Sequence, residues 1–153
     1  MNIEMISKEA EIAVAVKYDA VDCADFDKVM AAGYQKLCAY VAQCGGQMVG
    51  APYCKYSNAS SDFMQFDIEL GVPLAEPLPP KDDMYMSRTC EGKAITAMHK
   101  GAYKDIENTY APMMQYLAKN NLSSTGVYYD YYLNDPADVP ENELLTKVVF
   151  PIL

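Results

Sequence analysis

Along this chain the spacing of apolar residues switches between two periods, and each switch marks an element. Residues 12–18 (Ile-Ala-Val-Ala-Val-Lys-Tyr) are short and rich in β-branched side chains, which predicts a strand. Over 25–44 the apolar positions Phe26, Val29, Met30, Leu37, Tyr40 and Val41 fall on one face of a helix. Gly45-Gly46 ends it, because glycine takes the left-handed cap conformation at little cost. Residues 48–56 and 63–72 predict two strands joined by the small, polar turn 58–62. In the second of them Met64, Phe66, Ile68 and Leu70 alternate with Gln65, Asp67 and Glu69, so one face is expected to be buried.

Residues 75–83 break the pattern. Prolines at 77, 79 and 80 support neither a helix interior nor a central strand, and the segment reads as a connector. Beyond it the order recurs: a strand over 93–99, a helix over 103–120 with Ile106, Tyr110, Met113, Met114 and Leu117 on one face, then strands over 125–133 and 144–150. Pro112 inside that helix is a local conflict and predicts a kink. Each half reads β-α-β-β, so the fold class predicted is α+β, with antiparallel sheets and two main helices.

The two halves also match residue for residue. Residues 34–58 align with 110–134 without a gap at an offset of 76, and seven of the 25 pairs are identical: Tyr34/Tyr110, Tyr40/Tyr116, Ala42/Ala118, Gly50/Gly126, Tyr53/Tyr129, Tyr56/Tyr132 and Asn58/Asn134. Asn120-Asn121 falls where Gly45 ends the first helix, and asparagine is the next-best left-handed residue. The 153 residues make one domain's length. The expectation is a single domain over 1–153, with half-repeats at about 11–74 and 84–153 related by a pseudo-twofold axis that leaves a groove between them.

Charge narrows the partners. A formal net charge of −9 opposes a phosphate-backbone partner and favours cationic ligands. No apolar run reaches the ~20 residues of a membrane span. The start, Met1-Asn2-Ile3-Glu4, has neither the basic opening nor the apolar stretch of a signal peptide, which points to the cytoplasm. The five cysteines (Cys23, Cys38, Cys44, Cys54, Cys90) lack Cys-x-x-Cys spacing and read as reduced thiols, most of them small buried hydrophobes. With one histidine and no ligand-spaced cluster, neither a dedicated metal site nor a cofactor is expected.

The chemistry concentrates in Val127-Tyr128-Tyr129-Asp130-Tyr131-Tyr132-Leu133, a strand with an acid at its centre. Strand interiors are depleted in aspartate. Alternation puts Tyr128, Asp130 and Tyr132 on one face, and the repeat places Pro52, Cys54 and Tyr56 at the equivalent positions. A carboxylate ringed by aromatic groups suits a cationic or amphipathic ligand. The alternative is a solvent-facing Asp130 beside half-buried packing tyrosines. His99, at a strand end before Gly101, has two readings: a groove-lining base or donor, or a packed or capping side chain. A Cys54/His99 nucleophile pair is conceivable, but the spacing does not demand it. Tyr103 opens the second helix and either points its hydroxyl to the groove or packs as a staple.

With these residues in place, the chain resembles the GyrI-like family of small-molecule-binding domains, which also serve as effector-binding domains of multidrug-sensing bacterial transcription activators. The resemblance rests on His99-Lys100-Gly101-Ala102-Tyr103, the helix 110–120, Asp130-Tyr131-Tyr132-Leu133-Asn134-Asp135-Pro136, Glu143-Leu144-Leu145-Thr146 and Pro151-Ile152. Gly50-Ala51-Pro52 and Ile68-Glu69-Leu70-Gly71-Val72-Pro73 add support from the first half. It implies a tandem SHS2-type β-α-β-β repeat around a groove for lipophilic, often cationic, compounds. It also implies a groove glutamate that meets the ligand's charge and, in some members, hydrolyses cyclopropanoid electrophiles. The matching residue here is Asp130, one methylene shorter, which favours binding over that hydrolysis. Only about ten residues precede the first predicted strand, too few for a helix-turn-helix, so a stand-alone form is expected.

The function expected is therefore binding of amphipathic or cationic small molecules by Asp130, Tyr132, Tyr128, Tyr56, Cys54, His99 and Tyr103. The alternatives are a hydrolase that uses Asp130 on an electrophilic ligand, and a module for a protein partner.

Overall fold

A computed structural model describes residues 1–153. In chain order the strands are β1 (Glu4–Lys8), β2 (Ile12–Asp22), β3 (Tyr53–Ser57), β4 (Gln65–Pro73), β5 (Met84–Arg88), β6 (Gly92–Lys100), β7 (Tyr128–Tyr132) and β8 (Leu145–Pro151). The main helices are α1 (Phe26–Gln43) and α2 (Glu107–Lys119), each preceded by a single 3-10 turn. The α+β class is as the sequence predicts. The chain forms two compact units, one of Ala10–Cys90 and one of Met1–Glu9 with Glu91–Leu153.

In the unit Ala10–Cys90 the strand order is β3-β4-β2-β5, antiparallel throughout. Helix α1 buries Leu37, Tyr40 and Val41 of the predicted stripe and Gly33 besides, while Phe26, Val29 and Met30 are half-buried. It lies close to β4: a Cβ on Gly33 would stand 2.4 Å from the Leu70 side chain. Ile68, Leu70 and Val72 of β4 are fully or almost fully buried. The opposite face carries Tyr53, Glu69 and Gly71. Tyr53 lies flat across Gly71, where an added Cβ would stand 2.2 Å from the ring. That approach lets the Tyr53 hydroxyl reach Glu69 at 3.1 Å.

The second unit has the order β1-β6-β8-β7, again antiparallel. Its core is Ile95, Ala97, Met113, Leu117, Val148, Phe150 and Ile152, where one face of β6 and β8 meets the buried stripe of α2. Burying side chains of this size contributes about 1.5–3 kcal/mol each. Helix α2 runs from Glu107 to Lys119 with Pro112 inside it. Both helices end alike: Gly45 has φ +65° and its repeat counterpart Asn121 has φ +54°, the left-handed cap that the sequence places there.

Several boundaries depart from the sequence reading. Strands β1 and β5 were not foreseen. The first holds only two apolar residues, Met5 and Ile6, side by side rather than alternating, and the second follows directly on the proline-rich connector, which lies within the unit Ala10–Cys90. The strand expected over 48–56 begins only at Tyr53, because Gly50 is pressed against Pro73 and Glu11 and Pro52 has no N–H for a ladder. Met64, expected on a buried face, is exposed beyond the start of β4. No disulfide joins the five cysteines, and only Cys54 is buried. Cys38 and Cys44 are exposed because they fall off the stripe that α1 turns to the core.

Gly71→Ala tests the close approach. Tyr53 is fully buried and has no room to retreat, so the variant should lose about 1–3 kcal/mol, the usual cost of overpacking. Urea denaturation reads it; unchanged stability would mean that the Tyr53 ring is free to shift.

Candidate functional site

Strand β7 carries five consecutive large polar side chains, and register decides where each points. Asp130 stands opposite Val148, which stands opposite Ala97. Residues directly opposite share a face, so Asp130 lies on the face that α2 covers, in line with two residues of the apolar core. It is 2% exposed. A carboxylate so far from water must be met by donors. Tyr110 of α2 supplies one: its hydroxyl lies 2.6 Å from Oδ1 and 2.5 Å from Oδ2 of Asp130. The one hydroxyl hydrogen is shared between the two oxygens.

Aromatic rings flank the pair. Tyr128 meets Phe150 edge-on at 4.8 Å, and Tyr110 meets the same ring at 5.7 Å. Two residues along β7, Tyr132 meets Tyr103 edge-on at 5.4 Å. Burial, and after it the nearby Asp135 carboxylate, raise the Tyr103 phenol above its usual pKa, so Tyr103 keeps its proton. Of the residues expected in the site, the structure thus gathers Tyr128, Asp130, Tyr132 and Tyr103 in one unit.

His99 is close by but fully engaged. It is 5% exposed; Nε2 lies 2.9 Å from the Ala102 carbonyl oxygen and Nδ1 2.9 Å from the Thr109 hydroxyl. A carbonyl only accepts, so Nε2 carries the hydrogen, and in the neutral ring Nδ1 accepts from Thr109. His99 thus fastens the end of β6 to the start of α2.

In the unit Ala10–Cys90, Cys54 is fully buried opposite Leu70. Tyr56 belongs to an aromatic cluster, 5.6 Å from Phe26 and 5.7 Å from Phe66. Both sit on the face that α1 covers, as Asp130 does under α2. The most heavily bonded carboxylate of this unit is on the other face. Glu69 accepts from Tyr85 at 2.7 Å, Tyr53 at 3.1 Å and Ser87 at 3.0 and 3.2 Å. Burial, with the bond to Glu69 second, pushes the Tyr85 phenol far up, which keeps it a donor. An open cleft lined by Lys36, Tyr40, Lys81, Asp82 and Asp83 balances its own charges, with Lys36 Nζ 2.7 Å from Asp83.

The model of the GyrI-like small molecule binding domain matches residues 1–153. The chain belongs to the GyrI-like family. Solved structures agree on the fold. The C-terminal domain of EcmrR matches with a TM-score of 0.87 at 17% identity, over 99% of this chain and 97% of that one. The longer EcmrR chain in a DNA complex matches with a TM-score of 0.85 at 16% identity over 99% of this chain, which spans only 57% of its length. A hydrolase from Listeria innocua gives 0.69 at 16% identity, covering 99% of this chain and 91% of that one. SAV2435, solved bound to tetraphenylphosphonium, gives 0.67 at 10% identity, covering 100% and 94%. No curated protein matches by sequence. No helix is long and apolar enough to cross a membrane.

For this GyrI-like domain the sequence reading missed two residues of consequence. Tyr110, read only as part of a helical stripe, is the partner of Asp130; its identity with Tyr34 in the repeat was the available signal. Glu69 read as the polar side of an alternating strand, and nothing local showed that Tyr53, Tyr85 and Ser87 would converge on it.

Tyr110→Phe keeps the ring and removes the hydroxyl. Leaving the buried carboxylate short of this donor should cost about 1–3 kcal/mol. In a double-mutant cycle with Asp130→Ala the two losses should not add, because each removes the same bond. Thermal or urea melts of the four proteins read it, and simple additivity would show the bond to be energetically idle.

Proposed function

We propose that this GyrI-like domain binds amphipathic, cationic small molecules, with Asp130 meeting the positive charge and Tyr128, Tyr132 and Tyr103 providing aromatic contact. The observation that carries this reading is a carboxylate, 2% exposed, placed on a strand among aromatic rings and bonded by a tyrosine hydroxyl. A cation seated beside a buried acid offsets the cost of keeping its charge away from water. Ring faces add area and cation–π attraction. Tetraphenylphosphonium, which SAV2435 binds, is a ligand of this class. Cys54 and Tyr56 enter through the repeat alone, as equivalents of Asp130 and Tyr132.

One observation favours hydrolysis as a second reading. The Tyr110 hydroxyl lies within 2.6 Å of the carboxylate, so an electrophile seated there would meet a proton donor and a general base together. A neighbour in the fold is a hydrolase. Conversion of a cyclopropanoid compound, absent in Asp130→Asn, would establish this reading over capture alone.

Asp130→Asn should weaken tetraphenylphosphonium by about 2–5 kcal/mol, the usual loss when one partner of a desolvated charge pair is removed. A neutral aryl analogue of similar shape should lose much less, since the rings remain. Calorimetric titration of both ligands against both proteins decides it. Equal losses would remove Asp130 from the role of charge partner.

A further inference from the structure

The helix-covered face of the second unit holds one polar group that its surroundings do not explain. Thr146 of β8 is 0% exposed, and its hydroxyl has no hydrogen-bond partner in the protein. The other buried threonines all bond: Thr89 pairs with Glu11, Thr96 donates to the Val148 carbonyl at 2.8 Å, and Thr109 serves His99. Buried hydroxyls are rarely left this way, because a lost bond to water is not returned. Valine would fill the same space without the penalty.

Register places the orphan hydroxyl. Thr146 stands directly opposite His99 on one side and Tyr132 on the other, on the face that α2 covers. His99 does not help it, since both ring nitrogens are taken. Asp130 is the diagonal neighbour across the β7–β8 pair, one step along the same face, a Cα separation of roughly 7–8 Å. The Tyr103–Tyr132 edge-to-face pair borders the same row. The unpartnered group is therefore beside the buried acid.

We infer that Thr146 is a second polar contact of the Asp130 site, and that the cation this site takes carries a hydrogen-bonding oxygen or nitrogen within one strand pairing of its charge. The inference rests on the cation-binding reading and deepens it. Asp130 selects for charge, Thr146 for a hydroxyl, ether, carbonyl or amine beside it, and a plain hydrocarbon cation uses only half of the site.

The probes are tetraphenylphosphonium and its three singly hydroxylated isomers, which share size and charge. Wild-type protein should prefer at least one isomer by about 3- to 10-fold, the worth of one neutral hydrogen bond. The preference ratio should fall to about one in Thr146→Val and persist in Thr146→Ser, which keeps the hydroxyl. Thr146→Val should also melt above wild type, since it removes an unpaired buried group. A preference unchanged in Thr146→Val, or no preference in wild type, overturns the inference. So does a Thr146→Val protein that melts lower with its ratio intact, the mark of a hydroxyl bridged by a structural water. If Asp130→Asn weakens all four ions while Thr146→Val leaves the ratio untouched, only the Thr146 inference falls. If none of the four binds wild type, both readings fall.

Discussion

The rest of this site depends on a carboxylate placed where water does not reach. Strand β7 turns Asp130 toward α2, in line with Val148 and Ala97, and 2% of it remains exposed. Such a group is costly unless donors or positive charge meet it. Tyr110 meets both oxygens from the helix above, which ties α2 to β7 and fixes which face of the strand is polar. A one-residue slip would send Asp130 to the other face and bring Tyr129 or Tyr131 under the helix. The bond is thus a register pin as well as the proposed ligand contact.

The same strand presents different tyrosines to its two faces. Tyr129 and Tyr131 point away from α2, stacked 6.0 Å apart, with the Lys8 ammonium 5.4 Å from the Tyr131 ring. Tyr128 and Tyr132 share the side of Asp130 and meet other rings edge-on. In the unit Ala10–Cys90 the corresponding face holds Cys54 and Tyr56 without an acid. Its acid, Glu69, lies on the opposite face and accepts from three hydroxyls. The two units share an order of elements and differ in where they keep their charge.

Most of the fold was legible because period and caps are local. The helical stripes, the α+β class and the Gly45/Asn121 caps follow from short windows of sequence. Strands β1 and β5 were not legible, since a five-residue strand is recognised by what it pairs with: β1 by β6, β5 by β2. Tyr128, Asp130 and Tyr132 could be read as one group from alternation, while Tyr103 entered only from its place at the start of the second helix. Tyr110 over Asp130, Glu69 under three hydroxyls and the orphan Thr146 depend on contacts 16 or more residues apart or on a missing contact, which no window displays. The two readings of His99 could be separated only by its partners, Thr109 and Ala102.

The most direct measurement is a crystal structure of this protein with tetraphenylphosphonium bound. The account predicts the phosphonium centre beside the Asp130 carboxylate, with phenyl groups against Tyr128, Tyr132 or Tyr103 and the Tyr110 hydroxyl shifted from its present bond. An ion seated against Glu69, or in the Lys36–Asp83 cleft, with the Tyr110–Asp130 pair undisturbed would contradict it.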